Sequence, residues 1–199
     1  ASCNSTTNDW GGPHGPLSLN HGTSMEQIII LGLGNILYGD EGFGVLLAQR
    51  LYAHWDFPDN VEVVDGGTQG QTLLTFVERA DRLLVLDAVD FGLEPGELVQ
   101  RDNIPAYVTA QKIGPHQNSF SEVLGLATLR GNMPDHCALI GAQPAAMTLG
   151  APLSPAVAQC LNKGEDMALD ILRRWGVEPV PRLEPRRLSA SALDALLVE

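Results

Sequence analysis

Short runs of apolar residues alternate along the chain with segments that carry apolar residues at helical spacing. The runs cover 27–33, 61–64, 82–88 and 137–142, and they are rich in Val, Ile and Leu. Such runs, bounded by Gly, Asp or Pro, predict strands that are buried on both faces, as in a parallel sheet. A further short strand is predicted over 97–100.

The segments between these strands predict helices. Ser119, followed three residues later by Glu122, has the spacing of a capping box and marks a helix start. Pro155 suits the first turn of the last helix, within which Gly164 predicts a weak point. The predicted helices cover 41–54, 72–79, 119–129 and 154–175.

Strands that alternate with helices predict an α/β fold, a twisted and mostly parallel sheet flanked by helices on both faces. The alternation begins behind Met25 and continues to Trp175. Residues 1–24 are rich in Ser, Thr, Asn and Gly, and we expect a flexible or added head with Met25 as the natural start. The α/β domain is predicted over 25–176, and 177–199 form a tail with a marginal helix from Ser189.

Charge and hydropathy exclude two classes of partner. The chain has 12 basic and 24 acidic residues, a formal net charge of −12. Such an excess repels phosphate backbones, so we expect no nucleic acid partner. No uninterrupted apolar stretch is long enough for a membrane-spanning helix, so we expect no membrane span.

The cysteines indicate a reducing compartment. Cys3, Cys137 and Cys160 form an odd set without CxxC spacing, which fits neither a disulfide framework nor a zinc site. Cys137 lies in an apolar run and is interpreted as a core residue, and we predict no thiol nucleophile. The expected localisation is cytoplasmic.

The loops after the strands hold the candidate chemistry, because parallel sheets bind ligands at the carboxyl ends of their strands. Asp40 and Glu41 follow a Gly-rich turn after the first strand, where Leu37 replaces the glycine that a dinucleotide fingerprint needs. Asp87 ends the third strand and His116 precedes a helix. Asp40 is interpreted as a capping residue.

Glu41, Asp87 and His116 are predicted to meet at one sheet edge. Two carboxylates and one imidazole suit a borderline divalent ion such as Ni²⁺ or Zn²⁺ and leave coordination positions open. The alternatives are a helix cap or buried ion pair for Asp87 and an ordinary core or surface histidine for His116. Asp65-Gly66-Gly67-Thr68 is predicted to stop the second strand as a tight turn.

A set of short motifs, taken in chain order, carries a family resemblance. The motifs are Gly32-Leu33-Gly34-Asn35, Asp40-Glu41-Gly42-Phe43-Gly44, Asp65-Gly66-Gly67-Thr68-Gln69-Gly70, Leu86-Asp87-Ala88 and His116-Gln117-Asn118-Ser119-Phe120-Ser121-Glu122. This ordered set resembles the hydrogenase maturation endopeptidases, most closely the branch that serves the large subunit of membrane-bound uptake [NiFe]-hydrogenases. The resemblance extends over 25–175.

The resemblance implies an endopeptidase that removes a C-terminal extension from the hydrogenase large-subunit precursor once nickel is in place. It also implies that the three metal-binding positions fall on Glu41, Asp87 and His116, with nickel carried by the precursor. Asp65, Gly66, Gly67 and Thr68 match a family turn that we expect to contribute to substrate fit.

The expected mechanism uses the metal to position the scissile peptide and to polarise its carbonyl or a water, with Asp87 as the candidate general base. Because no Ser-His-Asp or Cys-His arrangement is evident, covalent catalysis is disfavoured. Three alternatives stay open: a flavodoxin-like nucleotide- or flavin-binding module, a metal-dependent amidohydrolase, and an assembly chaperone that binds the precursor without shortening it.

Overall fold

The apolar runs form the strands of one central sheet. The computed structural model describes residues 25–102 and 114–186, with side chains of the helix that starts at Gly114 described from Phe120 onward. The strands are β1 (Ile28–Leu33), β2 (Trp55–Asp56), β3 (Val61–Gly67), β4 (Arg82–Ala88), β5 (Leu98–Asp102), β6 (His136–Ala142) and β7 (Val180–Pro181). The α-helices are α1 (Phe43–His54), α2 (Leu74–Arg79), α3 (Gly114–Arg130) and α4 (Pro155–Arg174), and short 3-10 turns cover Gly39–Gly42 and Gly70–Leu73.

The sheet has five strands in the order β3-β1-β4-β6-β5. Neighbouring strands are parallel except for β5, which runs antiparallel to β6 at one edge. The predicted α/β architecture with a mostly parallel sheet is therefore confirmed. The carboxyl ends of β1, β3, β4 and β6 lie along one edge of the sheet, which we call the carboxyl edge.

Helices cover both faces of the sheet, as the pattern predicts. Successive β1 residues alternate between two hydrophobic layers, since Ile28 and Ile30 lie in one and Ile29 and Leu31 in the other. Helices α1 and α4 complete the first layer, and α2 and α3 complete the second. Because β1 is buried on both faces, its sequence is apolar without alternation.

Two predicted element boundaries are wrong. Helix α3 begins at Gly114, so Ser119 lies inside it and is no N-cap. Pro115 fits the first turn of a helix, where its missing N–H costs no hydrogen bond. Strand β3 continues through Asp65-Gly66-Gly67 instead of stopping there, because its ladder with β1 persists across an irregularity between Gly32 and Leu33.

Gly164 is a close-packing position and not the predicted weak point of α4. A Cβ at this residue would lie 3.1 Å from Cδ2 of Leu47 and 3.4 Å from Cζ of Phe43. The absent side chain therefore lets α4 approach α1 closely over the sheet. Pro155 lies in the first turn of α4 as predicted, and Ser154 caps this helix, since its hydroxyl accepts a hydrogen bond from the Val157 N–H at 3.3 Å.

The start of the tail contacts the end of α1. Strand β7 pairs with β2, Val177 is buried, and the Arg182 N–H donates to the carbonyl of His54 at 2.7 Å. The Arg186 guanidinium donates to the Tyr52 carbonyl at 3.2 Å. These contacts satisfy carbonyls that the last helical turn leaves unpaired. The head (1–24), most of the segment 102–115 and the helix predicted from Ser189 lie outside the described residues.

Glu165 joins α4 to α1 and should make stability depend on pH. Its carboxylate pairs with the Arg50 guanidinium and accepts from Trp55 Nε1 at 2.9 Å, with His54 Nδ1 at 3.2 Å. Burial would raise the pKa of Glu165, but the hydrogen bonds from Arg50, Trp55 and His54 outweigh it and hold the pKa below the ordinary value of 4.5.

The pKa of Glu165 is lower in the folded protein than in the unfolded chain. The ionised carboxylate therefore stabilises the fold fully when the pH is above the pKa of the unfolded chain. This contribution is lost as the pH falls through the pKa of the folded protein. We expect Glu165→Gln to lower the free energy of unfolding by about 2 kcal/mol near neutral pH. The loss should shrink on acidification below about pH 4. Urea denaturation of both proteins across this range measures it, and a difference that is the same at every pH would contradict the assignment.

None of the helices in 25–102 and 114–186 is long and apolar enough to cross a bilayer.

Candidate active site

Glu41 lies in the 3-10 turn that connects β1 to α1 at the carboxyl edge. Gly34 makes this position possible, because its φ is +116° and a Cβ there would lie 1.8 Å from the carbonyl oxygen of Glu41. Only glycine allows the turn to close so tightly onto the end of β1. The Glu41 side chain is half-buried. The Gly-rich loop thus brings a carboxylate directly over the end of a central strand.

Asp87 lies near the end of β4, the central strand of the sheet, and is 8% exposed. One of its carboxylate oxygens accepts a hydrogen bond from the N–H of Ala88 at 2.8 Å, which fixes its direction at the strand end. The start of α1 packs against the same place, since a Cβ at Gly44 would lie 2.1 Å from the carbonyl oxygen of Leu86. Glu41 precedes Gly44 by one helical turn, so both carboxylates lie at the carboxyl edge on neighbouring elements.

The Asp65–Thr68 segment forms the end of β3 and the residue after it, next to β1 in the sheet. Asp65 pairs in register with Gly32 of β1, and its carboxylate accepts from Gln49 Nε2 at 3.2 Å. Gly66 has no room for a side chain, because a Cβ there would lie 2.7 Å from Cδ1 of Leu31. Thr68 is exposed. The segment therefore ends an edge strand next to Glu41, where an extended peptide could lie.

His116 lies in the first turn of α3, and its side chain is outside the described set. Helix α3 packs against the Gly70–Leu73 turn, which follows the carboxyl end of β3. Among the side chains that the structure describes, no three His, Cys, Asp or Glu form a group suited to a metal ion. Glu41 and Asp87 are two of the three predicted ligands, and the assignment of the full set stays a prediction.

Asp40 does not cap the helix that follows it, so its interpretation as a capping residue is wrong. The side chain is fully buried and accepts hydrogen bonds from the N–H groups of Ala145 (2.8 Å), Ala146 (3.0 Å) and Ser154 (2.6 Å). Burial would raise the pKa of Asp40, but these backbone donors outweigh it and hold the pKa below its ordinary value. The hydrogen bonds of Asp40 thus connect the Glu41 turn to the segment 145–154, which follows β6.

Gln143 organises the loop after Asp87, and sequence reasoning missed it. The side-chain oxygen Oε1 of Gln143 accepts hydrogen bonds from the N–H groups of Phe91 (2.8 Å) and Leu93 (3.1 Å). The side-chain nitrogen Nε2 donates to the Asp90 carboxylate at 3.1 Å. Asp90 is exposed, and the Gln143 hydrogen bond holds its pKa below the ordinary value. The available signal was a lone polar residue directly after an apolar strand.

The described thiols do not belong to the site. Cys137 and Cys160 are both free and buried. Burial raises the pKa of Cys137 to about 11, and it also raises the pKa of Cys160. Neither thiol forms a thiolate readily at neutral pH. Cys3 lies outside the described residues.

Known proteins share this sequence and fold. The HycI family model, described as hydrogenase maturation protease, matches residues 45–171. The hydrogenase expression/formation protein HupD of Bradyrhizobium diazoefficiens is 43% identical over 176 residues, which cover 85% of this chain and 92% of HupD. The hydrogenase 2 maturation protease of Escherichia coli K12 is 35% identical over 159 residues, 78% of this chain and 96% of the relative.

A solved structure agrees with these sequence matches. The hydrogenase maturating endopeptidase HybD from E. coli superposes with a TM-score of 0.75 at 34% identity, and the match covers 78% of this chain and 98% of HybD.

Proposed function

Because the chain belongs to the hydrogenase maturation protease family and is a peptidase, we propose that it removes the C-terminal extension of a [NiFe]-hydrogenase large-subunit precursor after nickel insertion. The observation that supports the proposal is that Glu41 and Asp87 both lie at the carboxyl edge, Glu41 in the turn that closes onto Gly34 and Asp87 with one oxygen held by the Ala88 N–H. Their position matches the place where parallel sheets bind ligands.

Nickel belongs to the substrate in this proposal. Glu41, Asp87 and His116 bind the nickel that the precursor carries, with the open coordination positions that a three-ligand set leaves. The carboxylates and the imidazole fit this borderline ion, and Glu41 is half-buried but reachable from solvent. Binding through the metal places the scissile peptide at the carboxyl edge, beside the end of β3, where Asp65–Thr68 contribute to its fit.

Asp87 is the proposed general base. Its carboxylate takes a proton from the water that attacks the scissile carbonyl carbon, and the peptide C–N bond breaks as the leaving amine takes up a proton. The hydrogen bond from the Ala88 N–H holds one carboxylate oxygen, so the side chain is oriented before substrate arrives. Nickel held by Glu41, Asp87 and His116 would supply a Lewis acid that polarises the carbonyl or the water.

The proposed localisation of the protein is the cytoplasm. The support is that Cys137 and Cys160 are both free thiols, as expected in a reducing compartment.

Incubation of the purified protein with nickel-loaded large-subunit precursor tests the proposed reaction, with intact mass as the readout. We expect a precursor shortened at its C-terminus, and a protein that retains no stoichiometric metal after desalting. An unshortened precursor in a stable complex would support the assembly chaperone instead. A tightly bound metal with hydrolysis of small amides would support the amidohydrolase.

A further inference from the structure

We infer that Asp40 is the positioning residue of the site, which holds the Glu41 turn and the segment 145–154 as one rigid unit and thereby sets the rate of peptide cleavage. The inference rests on the proposed function, since it concerns the same site. Asp40 is adjacent to Glu41, but it points away from solvent into the protein and is fully buried. It therefore acts through its neighbours and not on the substrate.

The carboxylate joins two segments that are far apart in sequence. One oxygen accepts from the Ala145 and Ala146 N–H groups, and the other accepts from the Ser154 N–H at 2.6 Å. In return, the Asp40 N–H donates to the Ala146 carbonyl at 3.2 Å. A buried carboxylate with three backbone donors is well satisfied and strongly directional. Loss of one acceptor would leave a buried N–H unpaired.

The same unit carries an exposed apolar surface. The Gly150 N–H donates to the Leu37 carbonyl at 2.7 Å, which joins the two segments a second time. Ile36 and Leu37 on one segment, and Met147 and Leu149 on the other, are exposed apolar side chains next to the Glu41 turn. A shift of this unit would therefore move Glu41 and its apolar surroundings together, and small misplacements at a reacting centre cost large factors in rate.

Asp40→Asn is the first test variant. The amide keeps the volume but turns one acceptor oxygen into an N–H₂ group that faces a backbone donor. We expect kcat on the nickel-loaded precursor to fall by about tenfold or more, with a change in KM of less than about threefold. Glu165→Gln is the matched control, because it removes a buried carboxylate that joins the middle of α4 to Arg50 of α1 and to Trp55. It should lose stability and keep kcat.

Ser154→Pro is the milder second variant. It removes one of the three N–H groups that donate to the Asp40 carboxylate, and the Ser154 φ of −59° already suits proline. Ser154→Ala is its control, because it removes the hydroxyl, which caps α4 and also hydrogen-bonds the Asp40 carboxylate, and it keeps the N–H. We expect kcat of the proline variant to fall severalfold below that of the alanine variant.

Native-state amide hydrogen exchange reports on the unit independently of activity. Asp40→Asn should speed exchange in both 34–42 and 145–154, whereas Glu165→Gln should leave both segments protected. Unchanged exchange in Asp40→Asn, or faster exchange with an unchanged kcat, would overturn the inference, and so would an equal loss of kcat in Glu165→Gln. A wild-type protein that leaves the precursor intact would overturn the proposed function and the claim about rate, while the exchange result would still decide whether Asp40 joins the two segments.

Discussion

Asp87→Asn is expected to reduce the rate of precursor processing by at least about a hundredfold and to leave the fold intact. The amide keeps the size of the side chain and an oxygen that can accept from the Ala88 N–H, so the strand end should be preserved. It cannot take a proton from water, and it is a weaker metal ligand than a carboxylate. Single-turnover cleavage followed by intact mass measures the rate, and circular dichroism checks the fold.

Asp170→Asn is the matched control, because Asp170 is an exposed residue of α4 that pairs only with a neighbouring arginine among the ion pairs described. It should process at the wild-type rate, since surface ion pairs of this kind contribute little. Glu41→Gln and His116→Ala should each abolish processing in the same assay. Normal cleavage by His116→Ala would contradict the assignment of the metal ligands, and normal cleavage by Asp87→Asn would exclude it as the base.

Gly44→Ala is expected to destabilise the protein by about 3 kcal/mol or more. The added Cβ would lie 2.1 Å from the Leu86 carbonyl oxygen and 2.5 Å from the Leu33 carbonyl oxygen. Both atoms belong to central strands and cannot rotate away, so α1 would have to lift from the sheet. Urea denaturation followed by circular dichroism gives the free energy of unfolding.

Gly125→Ala provides the matched control in α3. A Cβ at Gly125 would meet nothing within 4 Å, so the same substitution should stabilise the protein by about 0.5–1 kcal/mol through helix propensity. Opposite signs for the two variants would show that close packing, and not helix propensity, explains Gly44. A wild-type denaturation midpoint for Gly44→Ala would contradict the packing described at the edge.

The bounds of a strand or helix were predictable from the sequence where one local signal decides them. Strand β4 has the predicted bounds, because an apolar run buried on both faces has no competing interpretation. Ser154 and Pro155 marked the start of α4 correctly for the same reason. In α3, two local signals compete: the capping pattern at Ser119 and Pro115, which suits a first helical turn. The helix starts at Gly114, so the capping pattern is not used. Propensity alone does not choose between such starts.

Contacts between distant segments account for the other differences. The role of Asp40 depends on donors 105 to 114 residues further along the chain, and no local pattern shows them. The extension of β3 depends on its register with β1, which a turn-forming Asp-Gly-Gly sequence hides. Placement of Glu41 and Asp87 at one edge was predictable, because the order of strands and helices fixes where parallel strands end.

We propose that this peptidase acts on a precursor that carries nickel, and that its own Glu41, Asp87 and His116 bind that nickel. The most direct measurement compares cleavage of nickel-loaded and nickel-free large-subunit precursor by the same wild-type protein, with intact mass read over time. We predict that the nickel-loaded form is shortened and the nickel-free form stays intact. Equal cleavage of both forms would contradict nickel recognition.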